Sequence, residues 1–431
     1  MPRHRLLALG TLAVLAVSAC DGADPTAVAA GRNAPPAEAA VAPTDTPAAS
    51  PALTGPDGSP LSVTELDIPA PDDAAEVTVE VLRTLSYREG EDATVTPRAV
   101  SPSGEVLIST TDPGSFDGAA LELLATTPVH LWTEEGLDPL GSTEALVPGD
   151  AHRQVVSATF AGGSPAWHET TGLQAGTSDW RMVARPGAAP VLLARSEQLF
   201  PAGELPGLAG HPRLTAAGDR VGWETVEERE DGTLRTRLVS VPVSGGELRT
   251  EAELATMPAG AADGWVTVRV EDRDVVGVDE DGGPLAAQTS IDVVTPGGDT
   301  RTLVELHGGT VSQLAAGGGQ VLAWADQTDV YVGTTGRSAV QRLVAAPGTS
   351  VVPSSLAVCG EHVVWAASST GGPATTYVLH PATGRAGALP AVAGDATIVC
   401  GGPYLAWTQV DDGGGEHVVT LARLAAPTGA G

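Results

Sequence analysis

The chain has 431 residues, 42% of them hydrophobic and only 18% charged, with 53 glycines and 34 prolines. That many glycines and prolines excludes a helical protein and fits an all-β chain with many turns. The formal charge of −30 argues against nucleic acid as a partner, because affinity for phosphate backbones comes from basic residues that displace counterions, and equally against adhesion to anionic lipid through a basic patch.

At the N-terminus, Arg3 and Arg5 precede an apolar run from Leu6 to Val17 that ends in Ser18-Ala19-Cys20. A basic start, an apolar stretch and small residues at the end predict a signal peptide over residues 1–19. The stretch is too short to span a bilayer as a permanent helix. Val17-Ser18-Ala19-Cys20 resembles the lipobox of bacterial lipoproteins. The resemblance implies that Cys20 carries a diacylglycerol, with acyl chains such as palmitate. Two chains hold a protein at a membrane where one is marginal, so the mature chain is expected at the extracytoplasmic face of the cell membrane. The alternative is an ordinary cleaved signal in which Cys20 is incidental. Residues 20–60, rich in Ala, Pro, Thr and Asp and without aromatic side chains, are expected to be a disordered tether.

Residues 61–424 are read as one β domain, followed by a flexible tail over residues 425–431. Six times a glycine is followed five residues later by a tryptophan inside an apolar strand: Gly162/Trp167, Gly218/Trp223, Gly260/Trp265, Gly319/Trp324, Gly360/Trp365 and Gly402/Trp407. Each copy reads as a strand, a tight turn and a second strand. The copy from Pro353 to Pro390 is the clearest, with strands at Ser355–Val358, Val363–Ala366 and Thr376–Leu379 and a short outer strand ending near Leu389. Four strands in such a repeat make one blade of a β-propeller. Ala99 to Ile108 repeats the turn without a tryptophan, and counting it gives seven four-stranded antiparallel blades; six remain possible if that copy is an extension. The last hairpin lacks an outer strand, which the N-terminal side is expected to supply from Leu61–Leu66, closing the ring.

A hydrophobic strand, then Gly245-Gly246 or Gly297-Gly298, then a polar stretch with Arg and Leu, as in Leu238–Arg249 and Ile291–Leu303, resembles the outer hairpin of TolB-like propeller repeats of the wider WD40 and quinoprotein kind. The resemblance implies a fold superfamily and leaves function open.

The six repeat tryptophans are expected in the core, filling gaps between wedge-shaped blades. Trp132 and Trp180 fall outside the pattern and are better candidates for exposed contacts than the six, although packing is the leading expectation for them too. With Cys20 taken by lipid, Cys359 and Cys400 occupy corresponding places in consecutive repeats. A disulfide stapling two blades is expected, with two buried thiols as the alternative.

Motifs that carry chemistry are few. All 23 basic residues are arginines, which removes lysine chemistry. Gly162-Gly163-Ser164-Pro165-Ala166 lacks the last glycine of a nucleophile elbow. His168-Glu169 has no second histidine at zinc spacing. Asp272, Asp274, Asp279, Glu280 and Asp281 crowd together, as do Asp411 and Asp412, but without the spaced series of a calcium loop. His380-Pro381-Ala382-Thr383-Gly384-Arg385 resembles one turn of quinoprotein repeats, and a quinone-dependent dehydrogenase is implied only weakly by a single copy. The reading is therefore a monomeric, membrane-anchored binding or scaffold propeller of the cell envelope, with a protein or cell-wall ligand on one face and no catalytic residue, cofactor or metal assigned. The alternative is an envelope hydrolase or lyase using carboxylates at the channel mouth.

Overall fold

In blade 6 the period-2 pattern folds as it reads: Pro353–Cys359, His362–Ser369, Gly372–His380 and Arg385–Ala388 form consecutive antiparallel pairs. Gly360 makes its first turn at φ 62°, a left-handed conformation that a side chain would strain. The computed structural model describes residues 52–425 apart from 89, 118–121, 142, 144–145, 147–151, 173–178, 200–212, 230–232, 274–285, 319, 327–328, 336–338, 347–352, 370–371, 390–397 and 411–414. Among them, one turn of α-helix, Ser196–Leu199, and one of 3-10 helix, Pro71–Asp73, interrupt the strands.

Seven such sheets follow in chain order, over residues 94–139, 154–195, 215–253, 255–307, 313–345, 353–388 and 399–424. Their first strands contact one another in sequence and the seventh returns to the first, so the chain is a closed seven-bladed propeller. Gly401, on the last inner strand, has no room for a Cβ, which would stand 1.9 Å from the Val100 carbonyl of blade 1. The ring closes there through backbone against backbone.

The N-terminal segment winds along the outside of four blades. Ala52–Thr54 pairs antiparallel with the outer strand of blade 4, Ser62–Ile68 pairs in parallel with that of blade 5, and Glu76 bridges Ala388 of blade 6. Val79–Arg88 then pairs antiparallel along Glu416–Leu424 and becomes the fourth strand of blade 7. An N-terminal strand does close the ring, but it is not Leu61–Leu66, which lies against blade 5. The closing strand must run opposite to Glu416–Leu424, and Val79–Arg88 does. Likewise the expected tether cannot extend to residue 60, since residues 52–54 already belong to a sheet; residues 1–51, with Cys20, lie outside the described residues, as does the tail from 426.

Seven apolar clusters fill the seven interfaces between blades. Each holds one tryptophan from the later blade of its pair: Trp167, Trp223, Trp265, Trp324, Trp365 and Trp407 for blades 2 to 7, and Trp132 where blade 1 meets blade 7. Trp132, on the third strand, occupies the place that the degenerate first repeat leaves without a second-strand tryptophan. Trp180 joins Trp223 between blades 2 and 3 at 6.2 Å, edge to face. Both off-pattern tryptophans are buried, so they are packed like the six and neither is an exposed contact.

The repeat spacing hides one change of register. Trp167, Trp223, Trp365 and Trp407 follow turns closed by Ala161↔Ser164, Ala217↔Arg220, Cys359↔His362 and Gly401↔Tyr404. In blade 4 the turn closes at Ala261↔Gly264, and Gly260 pairs directly with Trp265. Trp265 thus stands two residues closer to its turn. Side chains alternate with period 2, so the face is kept. The indole lies over Gly222 of blade 3, where an added Cβ would come within 2.8 Å of its Nε1.

Cys359 and Cys400 are joined as a disulfide, their Cα atoms 5.0 Å apart. Cys359 closes its hairpin opposite His362, whereas Cys400 stands one residue before the closing pair Gly401↔Tyr404. That offset turns the two side chains to opposite faces of their own sheets, and hence toward each other across the interface of blades 6 and 7.

Candidate functional site

Chain direction sorts the connections. Turns from first to second and from third to fourth strands lie on one face; second strands end and third strands begin at the other, the loop-rich face, where the chain also passes from blade to blade. The axis is bounded by the inner strands Thr94–Val100, Gln154–Ala161, Thr215–Ala217, Ala255–Ala261, Gln313–Ala316, Pro353–Cys359 and Val399–Gly401. These strands hold a single charged side chain, Arg98.

Arg98 is the extra residue of a bulge between Pro97 and Ala99. Its Nε donates to Ser109 Oγ at 2.8 Å. Burial pushes its pKa down to about 10, with no carboxylate opposing the shift. A guanidinium set in a wall without its own counter-charge is unusual, since buried charges are normally paired.

Glu224 follows repeat Trp223 on the second strand of blade 3. Its Oε2 accepts the Met257 amide and the Thr256 hydroxyl, each at 2.8 Å. Both donors belong to the inner strand of blade 4, where the register shifts between Thr256 and Ala259. Leu254, just before that strand, and Met257 on it adopt φ of 57° and 51°, conformations disfavoured for side chains of their size. Desolvation raises the Glu224 pKa above the usual carboxylate range, although the two hydrogen bonds oppose it. Among the described carboxyls with a resolved shift, it is the one whose hold on a proton is strengthened.

Other ionic groups of the loop-rich face are internally satisfied. Glu169 takes Arg181 Nε at 2.6 Å and Trp167 Nε1 at 2.7 Å, and Thr143 Oγ1 donates to it at 3.2 Å. Arg153 pairs with Asp179 at 2.5 Å, and Ser196 Oγ donates to the same carboxylate. Burial works against the charge of Asp179, but the Ser196 and Arg153 hydrogen bonds and the Arg153 charge hold its pKa below the ordinary value. Asp272 pairs with Arg235 at 2.6 Å, and that hydrogen bond keeps its pKa low. The remainder of that acidic cluster, Asp274 to Asp281, and Asp411-Asp412 lie outside the described residues. His168 packs edge-on against Trp180 at 6.1 Å. Among the described residues no group of three or more His, Cys, Asp or Glu could hold a metal.

Two cavities lie elsewhere. One of about 370 Å³ opens between blades 4 and 5 beside Asp263, Arg301 and Gln320, and a second of about 200 Å³, over Trp324, meets it at Arg301 and Thr335 under Pro56 and Leu61. Neither touches Glu224 or Arg98. The perturbed groups and these two cavities thus lie in different places, and a perturbed pKa is itself a pointer to a functional site.

Sequence reasoning singled out neither residue. Two signals were present: Glu224 is a carboxylate in the place after the repeat tryptophan where blades 4, 5 and 6 carry Val266, Ala325 and Ala366, and Arg98 is a charge inside an inner strand.

No known family model matches the chain, and no curated protein does. Solved structures do. An oligogalacturonate lyase from Vibrio parahaemolyticus aligns at 11% identity over 81% of this chain and 99% of its own, with a TM-score of 0.48. The β-propeller domain of the trilobed protease from Pyrococcus furiosus aligns at 8% identity over 79% of this chain and 100% of that domain, with a TM-score of 0.46. A puromycin-hydrolysing peptidase from Mycobacterium tuberculosis aligns at 14% identity over 82% of this chain and 58% of its own, with a TM-score of 0.42; the chain spans little more than half of that enzyme. At such identities the likeness is one of fold. The expectation of a non-catalytic binding or scaffold propeller is corrected: the solved structures with this fold are a lyase, a peptidase and the propeller domain of a protease, and the hydrolase or lyase alternative stands as a proposal.

Proposed function

We propose that the chain is a hydrolase or lyase of the bacterial cell envelope, a TolB-like propeller held at the membrane by lipid on Cys20, in which Glu224 transfers the proton. The anchoring rests on the basic start, the short apolar run and the lipobox-like Val17-Ser18-Ala19-Cys20. The chemistry rests on Glu224. A carboxyl whose pKa is lifted toward the working pH is suited to both taking and giving a proton. One oxygen is fixed by Thr256 and Met257, which orients the group, and no protein donor holds the other. Backbone strain beside it at Met257 is of the kind that gathers at functional sites.

The test is turnover by the full-length protein on oligogalacturonates, followed by absorbance of unsaturated products, and on peptidyl p-nitroanilides. Glu224→Gln keeps an acceptor for Met257 and should lower the rate at least about 100-fold with unfolding unchanged. Because burial raises its pKa, a base role is lost as pH falls through a value above the ordinary carboxyl range, and an acid role as pH rises through it. A variant as active as wild type, or a pH profile that does not change with it, would remove Glu224 from the reaction.

A further inference from the structure

The seven inner strands carry hydroxyl, amide and apolar side chains and, at Arg98, one cation. Carboxylates outnumber arginines in this protein by 53 to 23, so an arginine without one is contrary to what composition favours. Its neighbours across the interface, on Gln154–Ala161 of blade 2, carry no charge. Nε is taken by Ser109, which fixes the plane of the guanidinium. The two terminal nitrogens have no protein partner and are not sealed from solvent. Arg98 is half-buried, and the inner strands of a propeller surround its central channel.

We propose that Arg98 is an anion-binding residue whose free terminal nitrogens take a carboxylate of the ligand entering the channel. Two parallel N–H donors match the two oxygens of a carboxylate, a pairing that lysine could not reproduce. An uncharged wall of low dielectric strengthens the contact and offers no competing carboxylate. Ser109 is a positioning residue, acting through the orientation of Arg98. The proposal names the substrate class of the enzyme proposed above and in that sense rests on it, but it is read by binding, without turnover.

Calorimetric titration of the full-length protein compares two matched pairs: galacturonate with galactose, and acetyl-alanine with its amide. The pair that discriminates tells whether the carboxylate belongs to a sugar acid or to a peptide end. The acid of one pair should bind in the millimolar range or tighter and at least about tenfold better than its neutral partner. Arg98→Gln should abolish that difference, and Arg98→Lys should restore part of it. Should Arg98→Gln fail to fold, phenylglyoxal labelling of the wild type gives the same answer, because the bound acid should slow modification of Arg98 relative to Arg385. Glu224→Gln should lose turnover and keep binding, so the two proposals fail separately. Neither acid binding, equal binding of acid and neutral partner, or unprotected Arg98 would overturn the anion site.

Discussion

Trp167 differs from the other repeat tryptophans in what its indole N–H meets. Trp223, Trp265, Trp365 and Trp407 bury that group without a partner, whereas Trp167 gives it to Glu169. Glu169 and Arg181 are 1% and 2% exposed, so the apolar gain of the tryptophan is tied to a charge pair that must be complete. Removing one member of such a pair strands the other, and Glu169→Ala should cost about 3–5 kcal/mol. The paired change Glu169→Leu with Arg181→Met should recover most of it, since an apolar replacement of matched volume is often neutral. Urea unfolding of the three proteins measures this. A double variant no better than Glu169→Ala would mean that Thr143 and Trp167, not the charges, set the energy. The same accounting explains why Glu224 and Arg98 escaped sequence reading: their meaning comes from missing partners, and a sequence does not show who stands opposite.

At the level of strands, legibility followed local chemistry. Blade 6 was readable because glycine turns and alternation both lie within one short segment. Trp265 was read in the right repeat but two residues out of register, because a spacing of five is met equally by Gly260 on the strand and by a glycine in the turn. Closure was read from the wrong segment. Val79–Arg88 and Ser62–Ile68 both alternate, and nothing local tells an antiparallel partner of Glu416–Leu424 from a parallel partner of Ala339–Ala345. The two strands should separate by truncation. A chain starting at Val79 loses the buried side chains of Leu53 and Ile68 but keeps the fourth strand of blade 7, and the amides of Glu416–Leu424 should stay protected from hydrogen exchange. A chain starting after Arg88 exposes that edge and should lose protection there and aggregate, as open edges do. Equal protection in both would assign closure to another segment.

Over the whole ring, the two ends of the chain meet in one blade, so blade 7 is where the molecule can come apart. Its sheet depends on Val79–Arg88 being returned from the far end of the sequence, a non-local pairing that is entropically expensive. The disulfide acts at the opposite edge of the same blade, tying inner strand Val399–Gly401 to blade 6 across a separation of 41 residues. Restricting the unfolded chain by a loop of that length is worth roughly 4 kcal/mol in the chain-entropy account. Cys359→Ser with Cys400→Ser should therefore lower stability by about 2–4 kcal/mol. More specifically, exchange should rise first in blade 7, since blades 1 to 6 are each continuous in sequence and keep their own hairpins. The measurement is hydrogen exchange of the double variant beside the oxidised wild type at one pH. A uniform rise across all seven blades would show that the ring opens as one cooperative unit and that the disulfide stabilises the whole circle rather than its seam.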